Sequence, residues 1–144
     1  MSAARPAAPE LFRLRVRVYW EDTDAAGIVF YANYLKFFER ARTEWLRGRG
    51  HEQERMRSEM GIAFVVTDTS LRFHLPARLD DLLDVTVAVD HLGQASLALT
   101  QKAWNDYRLL ATGTIRIGCV ELGTFRPCRI PNAIRAFLAP ASTQ

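Results

Sequence analysis

Lysine is almost missing from this 144-residue chain: of its 19 basic residues only Lys36 and Lys102 are lysine, and the rest are arginine. Cysteine is scarce too, with Cys119 and Cys128 alone. That excludes a disulfide framework and any CxxC metal pattern, and reads as two reduced thiols in a cytoplasmic protein. No apolar run approaches the roughly 20 residues of a membrane-spanning helix. The first ten residues, MSAARPAAPE, lack the apolar segment of a secretory signal. Residues 1–10 are expected to form a disordered leader, 11–138 a single domain, and 139–144 a flexible tail. No two of His51, His74 and His91 lie at i,i+3 or i,i+4, so no metal is expected. There is no GxSxG elbow, no Cys beside a His, and no Walker or dinucleotide glycine pattern. A Ser or Cys nucleophile and a bound cofactor are therefore not expected.

What is present is a soluble globular composition, 49% hydrophobic and 24% charged, with a formal charge of +3. Arginine meets phosphate in a fixed fork, so a phosphate-bearing ligand suits the bias, although genomic base composition explains it equally well. Acidic residues are interleaved with the basic ones throughout, which argues against a nucleic-acid face.

From Leu11 to Trp20 the chain alternates. Phe12, Leu14, Val16, Val18 and Trp20 point one way, and Arg13, Arg15, Arg17 and Tyr19 the other, the pattern of a half-buried strand. After DTDAAG, a helix is expected over about Tyr31 to Arg47. Tyr34, Phe38, Ala41 and Trp45 form its apolar line, flanked by Tyr31, Leu35, Phe37 and Leu46. Arg40 and Glu44 are spaced to pair at i,i+4. Arg42 projects toward the apolar side and needs a partner there, for which Glu39 is the candidate. A short helix is expected in HEQERMRSEMG. Strands are expected over Ile62 to Phe73, about Leu83 to His91, Ala95 to Trp104, and about Leu109 to Val120. Ile130 to Leu138 is left between helix and strand, with Pro131 suited to a first helical position. One strand, one wide-faced helix and four hairpin-spaced strands make an α+β order: an antiparallel sheet of about five strands around a central helix, with an edge or face open to a second copy.

The chemistry concentrates in YWEDTDAAGIVFYANYLKFFERARTEW, from Tyr19 to Trp45. Two carboxylates end a strand, a flexible turn follows, and a helix begins. Helix-terminal N–H groups and the positive end of the dipole can hold an oxygen that gains negative charge. Asp24 suits a catalytic carboxylate, against the plainer reading of a turn or capping residue. Asp22 is more often a structural turn acceptor. Each histidine is more often a packing or surface residue.

The stretch RVRVYWEDTDAAGIVFYANYLKFFERARTEWLR closely resembles the signature of hotdog-fold acyl-CoA thioesterases of the 4-hydroxybenzoyl-CoA thioesterase type. Within these it is most similar to the Tol–Pal-associated branch. The similarity continues through FVV (64–66), PARLDDLLDV (76–85), ASLALTQK (95–102) and RPCRIP (126–131). The resemblance implies a hotdog fold, a homodimer or homotetramer with sites at the dimer interface, and no cofactor. It maps the catalytic carboxylate onto Asp24 and the carbonyl-polarising backbone N–H onto Tyr31. Gly27 then lets the turn approach the substrate. Members of the Tol–Pal branch commonly carry His where this chain has Tyr31, and the 4-hydroxybenzoyl-CoA branch carries Tyr. The expected reaction is hydrolysis of an aliphatic acyl-CoA, or of an acyl carrier protein thioester, with an aromatic acyl group as the alternative. A non-hydrolytic acyl-CoA-binding module and an adaptor are the rivals from other classes. Tyr34, Arg72 and Arg78 are assigned to substrate binding, the two arginines as candidates for the CoA phosphates together with Arg126.

Overall fold

The computed structural model describes residues 11–139, so the expected leader and all but Ala139 of the expected tail lie outside the described residues. The elements are β1 (Phe12–Arg17), α1 (Asn33–Gly48), α2 (Gln53–Arg55) with a π-helical turn (Met56–Met60), β2 (Ile62–Phe73), β3 (Leu82–Leu92), β4 (Ser96–Asn105), β5 (Arg108–Glu121) and α3 (Asn132–Leu138). The strands form one antiparallel sheet in the order β1-β3-β4-β5-β2. This is the expected α+β hotdog arrangement.

Period-two alternation decides which face of the sheet meets α1. Leu14, Val85, Ala103 and Ala111 follow one another across the register on one face. Arg15, Asp84 and Trp104 do so on the other. From α1, the side chains of Phe37, Phe38, Ala41 and Leu46 are buried in the same core as Leu83, Val85, Leu99 and Ile115. Register breaks at Val66/Asp68, Val89/His91 and Ala103/Trp104 bend their strands as bulges do. A sheet that follows a helix needs that curvature. The C-terminal segment resolves as the helix α3, with Pro131 at its N-cap rather than in its first turn. Phe137 of α3 lies 5.0 Å from Trp45 and stacks on His51 at 5.6 Å, closing the far end of α1.

Four expectations need correction. Trp20 is 81% exposed rather than buried. The strand stops at Arg17, and a 3₁₀ turn over Trp20–Asp22 swings the indole outward. Tyr31 and Leu35 are 63% and 42% exposed, because α1 begins only at Asn33 and its first turn presents that flank to solvent. The direct partner of Arg42 is Gln101 Oε1 at 2.9 Å; Glu39 accepts from Thr43 and reaches Arg42 only through its charge. Glu44 is paired with Arg47 at 3.1 Å, not with Arg40.

Candidate active site

The DTDAAG turn is built by its own backbone. Gly27 N–H donates to the Asp24 carbonyl at 2.9 Å, and Asp24 N–H to the Ile28 carbonyl at 2.9 Å. Gly27 adopts φ 79, a left-handed conformation that costs a glycine little. Thr23 bridges to Val29 and Ile28 to Arg78, and Val29 N–H donates to the Ala77 carbonyl at 2.8 Å. The turn is thereby stitched to the 77–78 segment that leads into β3.

Asp22 and Asp24, two residues apart, have different environments. Asp22 is buried, and both its oxygens are taken: Tyr19 N–H donates to Oδ2 at 2.8 Å and Asn33 Nδ2 to Oδ1 at 2.9 Å. Asp22 is the structural acceptor. Asp24 is exposed. Its Oδ1 accepts the Ala26 N–H at 2.9 Å, an Asx-turn bond. Among the described residues its Oδ2 has no partner and stays available.

Beside the turn lies a cavity of about 370 Å³, lined by Ile28, Val29, Tyr31, Tyr34, Phe73, His74, Leu75 and Pro76. Tyr31 meets Phe73 edge-on with centroids 6.4 Å apart, and Tyr34 lies 5.7 Å from Phe73. Burial pushes the Tyr34 phenol up to about 12, and its hydrogen bond with the Ala77 backbone opposes the shift. The phenol therefore stays protonated at neutral pH. The amide of Tyr31 opens the approach to α1, and no described group accepts from it.

The residues expected to serve the site are not all brought together. Tyr31 and Tyr34 line the cavity, and Asp24 and Gly27 form the turn whose next residue, Ile28, is part of the wall. Asp24 itself is not in the lining; it faces solvent beside it. Arg78 is carried to the turn by its bridge to Ile28. Arg72 is exposed and pairs with Thr112, while its neighbour Phe73 enters the cavity, so Arg72 leaves the opposite face of β2. Arg126 lies in the turn after β5, with its carbonyl accepting the Glu121 N–H at 2.9 Å. Three participants escaped the sequence reading: Asn33, Phe73 and His74. His74 reaches Thr112 Oγ1 at 3.1 Å from the cavity wall. Phe73 could have been found from strand alternation, since it shares the side of Leu71.

Residues 18–138 match the model of the Thioesterase-like superfamily. The chain is 40% identical over 125 residues to the acyl-CoA thioesterase YbgC of Haemophilus influenzae, covering 87% of this chain and 92% of that protein. It is 40% identical over 127 residues to the acyl-CoA thioester hydrolase YbgC of Escherichia coli, covering 88% and 94%. A probable thioesterase from Bartonella henselae superposes with a TM-score of 0.80 at 32% identity, covering 84% of this chain and 99% of that one. Fold, turn and relatives agree, and the chain belongs to the thioesterase-like superfamily as a hotdog-fold thioester hydrolase.

Proposed function

We propose that the chain hydrolyses acyl-CoA to a free acid and CoA, with Asp24 as the working carboxylate and the Tyr31 N–H as oxyanion donor. The observation that carries this reading is the contrast between the two aspartates. Asp22 is consumed by structure, whereas Asp24 keeps one oxygen uncommitted beside an apolar cavity. A thioester carbonyl is reactive enough for one carboxylate to suffice, either attacking it or drawing the proton from an attacking water. The carbonyl oxygen gains charge as the nucleophile adds, and an unpaired amide just ahead of α1 is suited to hold it until the carbonyl re-forms and the C–S bond breaks. The thiolate leaves as CoA, and water supplies the hydroxyl of the acid.

The same geometry supports an oligomer. Asp24 is open to solvent on the single chain, and catalytic electrostatics strengthen when water is excluded. The 12-residue β2 lies at a sheet edge with one side unpaired, which suits pairing with a second copy. A homodimer or homotetramer acting in the cytoplasm is the reading we favour. Arg78 is the arginine best placed for CoA phosphates, and Arg72 could serve only a ligand that crosses the sheet edge.

An aliphatic acyl group fits the apolar wall. The aromatic alternative also has a specific observation behind it, because Tyr31, Tyr34 and Phe73 all present rings to the cavity. Thiol release from a panel of aliphatic acyl-CoAs, hydroxybenzoyl-CoA and acyl carrier protein thioesters tests the proposal. Release from none of them, with acyl-CoA still bound, would make the protein a binding module.

A further inference from the structure

Three elements run in the same order from the active-site cavity toward the far end of the core. On α1 the order is Tyr34, Phe38, Trp45. On β2 it is Phe73, Leu71, Val66, paired in turn with Ala111, Gly113 and Ile117 of β5. Tyr34 and Phe73 line the active-site cavity. Trp45, Val66 and Ile117 line a second cavity of about 130 Å³, whose wall also includes Leu97 and Leu99. Phe38 and Gly113 stand between the two. Phe38 is fully buried, and its ring lies over Gly113 so closely that an added Cβ would sit 2.7 Å from Cε2. Leu71 closes the same spot, 3.1 Å from that position.

The second cavity suits uncharged hydrocarbon. Its charged neighbours, Arg42 and Glu39, are of opposite sign, and the Arg42 guanidinium is already held by Gln101 Oε1 at 2.9 Å. The cavity is partly open, with Glu39 and Val66 exposed at its rim and Leu97, Leu99 and Ile117 forming its apolar wall. A chain entering past Tyr34 meets the Phe38 ring after one helical turn, about 6 Å at 1.5 Å per residue.

We propose that Phe38, seated on Gly113, is the stop that limits the acyl group this enzyme accepts, and that the cavity behind it is room a longer hydrocarbon would occupy were the stop removed. This rests on the thioesterase reading above. The specificity residue is thus a core phenylalanine outside the DTDAAG turn, and short or compact acyl groups are the substrates.

The test is kcat/KM for butanoyl-, octanoyl- and dodecanoyl-CoA in the full-length wild type and in Phe38→Ala, Phe38→Leu and Gly113→Ala. Shrinking Phe38 should raise the dodecanoyl-to-butanoyl ratio about tenfold or more. Gly113→Ala drives the ring toward the first cavity and should lower it. A purely structural role for Phe38 would depress all substrates together, and a flat ratio in folded Phe38→Leu and Gly113→Ala overturns the proposal. Should the wild type release no thiol from any substrate, the thioesterase reading fails, and the stop is then read by calorimetry with S-alkyl-CoA thioethers. Affinity that stops rising beyond short chains in the wild type, and rises further in Phe38→Leu, supports the stop; an unbroken rise to dodecyl in the wild type overturns it.

Discussion

Asn33 donates its side-chain amide to Asp22 Oδ1 at 2.9 Å in the protein interior, tying the first residue of α1 to the turn that carries Asp24. The two side chains are 7% and 4% exposed. Asp22 also takes the Tyr19 N–H on its second oxygen at 2.8 Å and the Phe30 N–H on its carbonyl at 2.9 Å. Asp22, with both carboxylate oxygens and its carbonyl engaged, therefore sets the relative positions of the Asp24 carboxylate and the Tyr31 amide.

Removing that carboxylate should cost both stability and turnover. Asp22→Ala strands the buried Asn33 amide and the part-buried Tyr19 N–H, an expected loss of about 2–3 kcal/mol. Asn33→Ala should cost about 1–2 kcal/mol. Urea midpoints with unchanged slopes would read these values. The double variant should lose less than the two singles combined, by about 1 kcal/mol. Strict additivity would mean that the bond does not act as a unit.

Asp24→Asn separates the turn from the chemistry. The Asn carbonyl can still accept the Ala26 N–H that Oδ1 of Asp24 now accepts at 2.9 Å, so stability should change by less than about 0.5 kcal/mol. Turnover should fall by about 10²–10⁴-fold while affinity for a CoA thioether is kept. Asp24→Ala should add about 1 kcal/mol of destabilisation through the lost turn bond. If Asp24→Asn turns over normally, the carboxylate has no part in the reaction.

At Gly27 the demand is conformational and not steric. A Cβ there would meet nothing within 4 Å, yet φ is +79. Gly27→Ala should therefore lose about 1–2 kcal/mol. Gly27→Asn should lose less, since Asn visits the left-handed region more readily. Thermal melts of the two variants rank them, and equal losses would point to side-chain bulk as the cause.

How far the fold could be read in advance depended on how local its causes are. Alternation and turn residues are short-range, and Ile62–Phe73 runs over the residues its pattern marked. The same alternation misled at Trp20, because the period continues in sequence after the strand has ended. What ends it is the Asp22 carboxylate capturing the Tyr19 N–H. Asp22 could be read as a turn acceptor, but its partner Asn33 could not, lying eleven residues away behind a turn whose path no periodicity fixes. Arg42 failed for a similar reason. Glu39 is the acid one helical turn away in sequence, but β4 brings the carboxamide of Gln101 to it from across the core. Arg72 and Phe73 show the remaining limit. Their opposite orientations are implied by strand geometry, but which of them meets the cavity is decided by pairing with β5.

Alkaline pH offers a test of the cavity wall itself. Burial pushes the Tyr34 phenol from 10.0 up to about 12. Burial, then the hydrogen bond with Cys128, pushes the Cys119 thiol from 9.0 up to about 12. In the unfolded chain both groups release their protons at the lower values, while the folded protein retains them. Their contribution is thus intact below about pH 9 and is lost as pH rises toward about 12, with a limiting slope of about 1.4 kcal/mol per pH unit for each group. Urea unfolding at about pH 8, 9.5 and 11 should show this decline. Cys119→Ala should remove its earlier part and Tyr34→Phe its later part. Because the phenol is protonated throughout the neutral range, Tyr34→Phe should leave the pH dependence of turnover between about 6 and 9 unaltered. A wild type and a Tyr34→Phe variant that lose stability in parallel above pH 10 would show that the phenol is not desolvated, and would open the cavity wall to water.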